Sequence, residues 1–573
     1  MNRYGTRYLR LDFAVAFTVL IPFCTVGLEF RHSLVAQAIG ISSVILAMAP
    51  SALTSAGLLE RVRQIPSRLA IGLVLYSSAT ALGVLIGLVN GHDLYRVAAQ
   101  ALSMGLLPLA ALIALIDPEE PILHRFRVGL FAGIIIGCLI QLGWELLLSL
   151  ADKPPSRLFL PNSVSVVGAS LLTLAVALTS VYHRHDLTRR LARLSVVLLV
   201  IVITGSGLRS LWLLAPLTVI GSVFLWRGRD KRTLLVVFGS ILLFAGIAVS
   251  SVIGFTVWVR HQHQDTLNLS PSELFSNAGE FRKGVLELEL PAGQDLELTS
   301  SELNLSNQVP GWILRIRGRT QNQRSVVVNL CFLDRSGKEL GRIAARVRAV
   351  QTKSVTNAQG ATPEGTSAIK LVVVSEGDVQ GRLFLGRIKC IPVHSALATR
   401  LAQYAVGTFD RVASLLGTLR TGDVQQDATL AFRWLEAGRI IESISDSGWI
   451  ERLFGHGLGA TVHLDVFGYD NRGNWVYFGD ENYLHNWYLF LVFKLGILGA
   501  FLVLGAVASW LTFTIGKLRS AHLMSDRAFP AAATAAWVAY LIWSMTSPEI
   551  LDFRVAPLWG WLLAATAASG RER

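Results

Sequence analysis

The sequence predicts a polytopic all-α membrane protein of about twelve transmembrane helices, with an all-β sandwich or jelly-roll domain inserted in one large outer loop. Three observations carry that prediction. Apolar residues make up 52% of the 573-residue chain and charged residues only 16%, whereas soluble domains carry about 25% charge. Apolar runs long enough to cross a hydrocarbon core of about 30 Å recur between charged breaks. Between 275 and 395 the pattern changes abruptly to period-two alternation. Low charge with distinct apolar runs excludes a disordered chain, a collagen, a coiled coil and a small disulfide-stapled module.

The apolar runs lie near 11–29, 33–58, 69–90, 97–116, 128–150, 164–182, 194–208, 210–226, 233–258, 486–514, 528–546 and 555–569. A net charge of +13 fits basic cytoplasmic loops here rather than a nucleic-acid partner. With the N-terminus inside, one side collects Arg3, Arg7 and Arg10; Arg61, Arg63 and Arg68; Arg125 and Arg127; Arg184, Arg189, Arg190 and Arg193; Arg227, Arg229, Lys231 and Arg232; Lys517, Arg519 and Arg527; and Arg571 and Arg573. The other side holds only Arg31, Arg96, Lys153, Arg157, Arg209 and Arg554. This asymmetry places both termini in the cytoplasm and 259–485 on the outer face. No cleavable signal is evident, because Met1 to Arg10 lead into a span that lacks a small-residue cleavage site followed by polar sequence. The expected organisation is an N-terminal bundle of about nine helices over 1–258, the sandwich over 275–395, a helical outer part over 396–485 and about three helices over 486–573.

Within the outer segment VLELEL (285–290), ILRIRGR (313–319), SVVVNLCFL (325–333), RIAARVRAV (342–350), IKLVVV (369–374) and RLFLGRIKC (382–390) read as strands. DRSGKE (334–339) and NAQGATPEG (357–365) read as turns between them. Cys24 and Cys138 fall inside spans as small apolar residues. Cys331 and Cys390 both fall in strands, where an oxidising compartment permits a disulfide but spacing does not establish one. There is no CxxC pair and no HExxH, so zinc has no sequence support, and GSG at 205–207 lacks the spacing and the Lys-Ser/Thr of a phosphate loop. No metal and no other cofactor is expected.

Chemistry is expected where polar residues meet the outer ends of spans. TGSGLRSLW (204–212) places Arg209 after a loosened Gly-Ser-Gly step; its guanidinium either snorkels to the interface or offers a fork of donors to phosphate. ATLAFRWLEAGRIIES (428–443) reads as a helix bearing Arg433, Trp434, Glu436 and Arg439, with Glu436 and Arg439 spaced for an i,i+3 surface pair. FGHGLGA (454–460) alternates glycines 455, 457 and 459, which permit a tight backbone path. DENYLHNWYLFLVFKLGILG (480–499) sets Asp480, Glu481, His485 and Asn486 at the outer mouth of a span, where His485 is either a reactive group or a neighbour of the Trp487–Tyr488 aromatic belt.

In order and spacing these segments resemble the O-antigen ligase and polymerase family of bacterial membrane glycosyltransferases, from about 194 to 515 with the sandwich excluded. The match lies in Arg209 of GSGLRSLW, in FRWLEAGRIIES followed by GHGLGA, and in His485-Asn486 ahead of Leu495-Gly496-Ile497-Leu498-Gly499. Two features depart from the family pattern. Arg433 directly precedes Trp434, where the family's Arg stands several residues earlier, and Lys494 occupies a place that is usually acidic or neutral. Lys494 either snorkels or adds positive charge near a phosphate. Around Gly311-Trp312, Phe332–Gly337 and Ala361–Gly365 the sandwich resembles carbohydrate-binding-module-like domains, with a spacer or oligomerisation domain as the plainer reading.

The family resemblance implies an inner-membrane enzyme that transfers a glycan from an undecaprenyl diphosphate carrier to a lipid or glycan acceptor, without a metal. It implies His485 as general base and Arg209 with Arg433 or Arg439 as the diphosphate clamp; Asp480 or Glu481 would orient His485, with Asn486 and Trp434 in support. The alternative is a polytopic transporter or lipid-linked glycan flippase carrying a glycan-binding outer domain. Such a protein would show inverted repeats and midplane charges, whereas the sequence has no evident internal repeat and only Glu145 and Lys494 as clear charges in its apolar runs.

Overall fold

The protein is described by a computed structural model. It describes residues 11–24, 40–45, 47, 58–116, 122–150, 164–181, 186–206, 209–227, 267–271, 275, 280–282, 285–290, 296–305, 309, 311–321, 325–347, 354–376, 381–393, 428–469, 475–481, 484–545 and 554–569. The chain divides into two compact units, one formed by 1–143, 159–245 and 432–573, the other by 144–158 and 246–431.

The first unit is helical. Its helices are α1 (Leu11–Cys24), α2 (Leu58–Arg63), α3 (Ser67–Val89), α4 (Leu94–Ile116), α5 (Ile122–Leu150), α6 (Val164–Ser180), α7 (Asp186–Ser206), α8 (Arg209–Arg227), α9 (Ala428–Asp446), α10 (Trp449–Phe454), α11 (Trp487–Ser520), α12 (Met524–Trp543) and α13 (Ala556–Ala568). Among the described residues, α3, α4, α5 over Ile122–Gly143, and α11 are long and apolar enough to cross a membrane; Leu11–Ile21, Val167–Ser180, Leu214–Arg227 and Ala556–Ala568 form shorter apolar helices. By length and composition this is a membrane-type bundle. The described helices therefore give four full-length candidate spans where the sequence predicts about twelve. The run at 233–258 lies outside the described residues, and so does most of 33–58.

Small residues set how closely these helices approach. A Cβ on Gly72 of α3 would lie 2.2 Å from the Trp510 indole nitrogen of α11, and one on Gly560 of α13 would lie 2.3 Å from the Leu107 carbonyl oxygen of α4. Without a hydrophobic drive between helices in lipid, such close backbone approach supplies the packing contact. Where the helices converge, buried aromatic rings fill the space: Tyr76 meets Trp510, Trp510 meets Trp537, and Trp559 meets Trp537 and Tyr540.

A two-stranded antiparallel hairpin, β12 (Val462–Tyr469) and β13 (Trp475–Glu481), stands between α10 and α11. The sequence reading of a helical outer part over 396–485 does not include this hairpin; 394–427 lies outside the described residues. The strands place His463 opposite Asp480 in register.

The second unit holds the sandwich. One sheet runs β2 (Glu280–Arg282), β3 (Val285–Leu290), β11 (Gly381–Val393), β6 (Gly311–Gln321), β9 (Ser354–Ala361), with β1 (Leu267–Leu269) also on β11. The other runs β4 (Leu296–Thr299), β10 (Ala368–Glu376), β7 (Ser325–Leu333), β8 (Glu339–Val347), with β5 (Leu303–Asn304) also on β10. Alternate residues of both sheets, among them Leu286, Leu314, Ile316 and Leu383 facing Val326, Val328, Leu330 and Leu371, share one apolar core. The DRSGKE turn forms as the sequence predicts, with the Asp334 carboxylate accepting the Ser336 and Lys338 N–H groups at 2.8 and 3.0 Å. NAQGATPEG does not form a turn throughout. Its first five residues, 357–361, complete β9, because pairing with Gly311–Arg315 of β6 overrides their weak strand preference.

Cys331 and Cys390 are both buried and unpaired. Cys390 points into the core, whereas Cys331 alternates with the core residues Leu330 and Phe332 and so takes the outer face of its sheet. Burial raises both thiols, to about 11 for Cys331 and about 12 for Cys390.

Candidate active site

The site begins with an interruption in α11. At Gly496 the backbone leaves helical geometry (φ 66°, ψ −177°), which strips the preceding turn of its helical donors. The FGHGLGA loop replaces them: the His456 N–H donates to the Phe493 carbonyl at 2.9 Å and the Gly457 N–H to the Lys494 carbonyl at 2.8 Å. On its far side the loop reaches α3, where the Leu458 N–H donates to the Gly83 carbonyl at 2.9 Å. Only glycine fits this path. A Cβ on Gly455 would lie 2.4 Å from the Lys494 carbonyl oxygen, and one on Gly457 would lie 2.3 Å from the Gly87 nitrogen. The alternate glycines therefore let one loop close a broken helix.

Lys494 is fully buried, at 0% exposure. Its ammonium donates to the Ala460 carbonyl, and it lies 5.6 and 5.7 Å from the ring centroids of Phe490 and Phe493. It thus neither snorkels to water nor stands open to a phosphate, the two readings the sequence left; it ties the far end of the loop to α11.

The same loop is held from α3 and α4. Asn90 Nδ2 donates to the His456 carbonyl at 2.9 Å, His92 Nε2 lies 2.7 Å from that oxygen, and Gln100 Oε1 accepts the Gly459 N–H at 2.7 Å. The His456 ring stacks on Phe493 with centroids 4.6 Å apart, and its Nε2 lies 3.0 Å from Ser447 Oγ. Burial holds this imidazole below the ordinary histidine range.

His485 lies two residues before α11. Asn486 caps that helix, its side-chain oxygen accepting the Leu489 N–H at 3.0 Å, and the Trp487 N–H donates to the Ser544 carbonyl at 2.9 Å. These bonds fix the backbone on which the His485 ring is mounted. Glu436, from the middle of α9, is 2% exposed. Its Oε2 accepts the His485 backbone N–H at 2.9 Å, and its Oε1 lies 3.1 Å from His485 Nδ1. Phe432, one turn earlier on α9, presents its ring edge-on to the imidazole with centroids 5.9 Å apart. A carboxylate at Nδ1 holds the proton there and leaves Nε2 as the basic position.

The family resemblance names Asp480 or Glu481 as the orienting carboxylate; the carboxylate that meets His485 Nδ1 in the structure is Glu436. Asp480 is exposed and bonds His463 Nδ1 at 2.8 Å. Glu481 stays close enough to act electrostatically: burial and the Glu436 carboxylate raise its carboxyl above the ordinary range, while His485 and Arg96 oppose that rise. The expected Glu436–Arg439 surface pair is also replaced. Arg439 Nη1 bonds Glu442 Oε2 at 2.9 Å on the exposed side, and Glu436 turns into the bundle. Arg433, half-buried, stands one turn before Glu436 on the inward side of α9. Trp434 lies on the opposite face, 71% exposed, and does not join the dyad. Arg209 opens α8, and its side chain lies outside the described residues.

Two residues escaped sequence reasoning. Glu436 was readable as a charged residue on an otherwise apolar stripe, but its partner is 49 positions away. Arg96, in the first turn of α4, adjoins Val97, against which Gly459 packs; the only sequence signal was its outer-side position. Among the described residues no group of three or more His, Cys, Asp or Glu side chains is arranged to hold a metal ion.

No family model and no curated protein matches the chain. Among solved structures, it is similar to the enzymatically active domain of tailspike protein 4 of bacteriophage CBA120, at 13% identity over 22% of this chain and 17% of that one, with a TM-score of 0.17. A TM-score that low assigns neither fold nor activity.

Proposed function

We propose that this chain is a bacterial inner-membrane glycosyltransferase that moves a glycan from an undecaprenyl diphosphate carrier to an acceptor hydroxyl on the outer face, as an O-antigen ligase or as an O-antigen or exopolysaccharide polymerase. The observation that carries the reading is the dyad of buried Glu436 and His485 at the head of a candidate span. In this reading the twelve apolar runs are spans, both termini are cytoplasmic and 259–485 is periplasmic, as the Lys/Arg asymmetry supports.

The chemistry follows from the tautomer. Nε2 of His485 takes the proton of the acceptor hydroxyl as its oxygen attacks the anomeric carbon. The bond from that carbon to the phosphate oxygen breaks, and its electron pair leaves with the diphosphate. Glu436 offsets the charge that forms on the imidazole. Arg209 and Arg433 hold the diphosphate, whose negative charge grows as the bond breaks. Arg433 is preferred to Arg439 because it is half-buried on the Glu436 side of α9, whereas Arg439 is exposed beside Glu442.

The alternative, a transporter or flippase, draws on one feature, the broken α11 beside buried Lys494. One experiment separates the two. Purified protein in proteoliposomes is given undecaprenyl-diphosphate-linked oligosaccharide and an acceptor glycan, and the products are separated by chromatography. The expected result is a new glycosidic product that His485→Ala does not make. Movement of intact donor across the bilayer without a new bond would overturn the transferase reading.

A further inference from the structure

The outward side of α9 and the whole of α10 present apolar residues that no part of the described bundle covers. On α9, Trp434 and Ile441 are seven positions apart and share one face; they are 71% and 52% exposed. Glu436 and Ile440, both buried, lie on the other face. A helix that is apolar on both sides is covered on both sides. On α10, Trp449 and Ile450 are 73% and 55% exposed, and Leu453 beside them is open as well.

The depth of this face can be read from α11. Its portion after Gly496 runs to Ser520, about 36 Å at about 1.5 Å per residue. That length alone covers a hydrocarbon core of about 30 Å. Lys517 and Arg519 close its far end as basic anchors, so the core begins close to Gly496. The α10 helix meets α11 at that level: a Cβ on Gly496 would lie 2.3 Å from the Leu453 carbonyl oxygen. Just below, Ile497 and Phe501 of α11 are exposed at 47% and 71% and continue the same apolar surface into the span.

We infer that α9 and α10 form a lipid-docking surface, an interfacial pair of helices whose exposed apolar face rests in the outer leaflet with Trp434 and Trp449 as its anchors. The occupant is the bilayer itself. The Arg439–Glu442 pair flanks the face on the aqueous side. This reading needs α11 to span the membrane and does not need the transferase reading.

The test uses the full-length protein with Cys24, Cys138, Cys331 and Cys390 replaced by Ser, carrying one nitroxide at Ile441→Cys or Ile450→Cys, in phospholipid proteoliposomes. Glu364→Cys and Phe501→Cys serve as aqueous and lipid references. Power saturation compares collision with oxygen, which concentrates in acyl chains, against collision with a water-soluble nickel chelate. The expected result is an oxygen-to-nickel accessibility ratio at 441 and 450 several-fold above that at 364 and close to that at 501. A ratio equal to that at 364 would place the face in water and overturn the inference. Low accessibility to both reagents would mean that a second copy or another protein covers it, and would overturn it equally. Transfer activity is not read, so failure of the dyad leaves this result unchanged.

Discussion

One carboxylate, Glu436, grips His485 at both its main chain and its ring, with the backbone N–H 2.9 Å from Oε2 and Nδ1 3.1 Å from Oε1. The two residues come from different elements, so this contact joins α9 to the head of α11. Under the transferase reading, His485→Ala is expected to lower turnover by about 10²–10⁴. Glu436→Gln, which keeps an acceptor but loses the charge, is expected to lower it by about 10–10². Because the two act as a unit, Glu436→Gln added to His485→Ala is expected to cost little more. Single-turnover kinetics with saturating lipid-linked donor check this; independent, multiplying losses would dissolve the dyad.

The arginines divide by their proposed roles. Arg209→Ala and Arg433→Ala are expected to weaken donor binding as well as turnover, and Arg209→Lys to rescue poorly if its contact is bidentate. Arg439→Ala removes an exposed i,i+3 pair worth about 0.3–0.5 kcal/mol and is expected to leave transfer nearly normal. Transfer is also expected to survive EDTA, since the proposed clamp is cationic protein rather than a divalent ion. Donor titrations with and without chelator measure both; rescue by magnesium after loss in EDTA would count against the clamp.

The break in α11 has its own signature. Gly496→Ala would force a Cβ to 2.3 Å from the Leu453 carbonyl oxygen at a φ of 66°, and Gly455→Ala would meet the Lys494 carbonyl oxygen at 2.4 Å. Each is expected to destabilise by at least about 2 kcal/mol. Gly105→Ala on α4, with nothing within 4 Å, is expected to be neutral or slightly stabilising. Thermal unfolding in detergent compares the three, and a Gly496→Ala protein as stable as the parent would remove the loop from its structural role.

How much of this was legible in the sequence depended on the range of the interaction. Alternation along VLELEL marks Val285–Leu290, and the same signal locates β7, β10 and β11 to within a few residues. Asn357–Ala361 read as a turn because their strand character comes from β6 and not from their own side chains. The glycines of GHGLGA announced a tight path, but not that the path fills a gap in a span some 40 positions later. The sequence reads His485 and Asn486 together, and the structure gives them different jobs: Asn486 caps a helix and His485 meets a carboxylate. Local spacing reads Glu436 only as an i,i+3 partner of Arg439, because its contact with His485 depends on the packing of α9 against the head of α11, while the hairpin pairs Asp480 with His463.

His456 predicts a dependence on acid. Burial lowers its imidazole below the ordinary value, so the unfolded chain binds a proton near pH 6.5 while the folded chain does not. Stability is therefore whole above about pH 6.5 and falls as the pH drops toward the folded value. Melting temperatures between about pH 7.5 and 5 are expected to decline on the acid side, with a shallower decline in His456→Gln. An unchanged slope in that variant would show that other groups carry the effect.

Orientation is open to direct chemistry. Glu364 is an exposed residue of the turn between β9 and β10. Glu364→Cys in a cysteine-free background is expected to react with a membrane-impermeant maleimide on intact spheroplasts. Protection until permeabilisation would invert the topology and with it the side on which the donor is met.

The thiols of Cys331 and Cys390 lie in different sheets of the sandwich, Cys390 in the shared core and Cys331 on the outer face of the other sheet, and neither is paired. The domain thus reaches its native state with no oxidative folding step, although the proposed location is a compartment that forms disulfides. Its maturation is indifferent to thiol oxidases and disulfide isomerases, and it should assemble equally well in reducing cytosol, where milligram amounts can be made for glycan arrays.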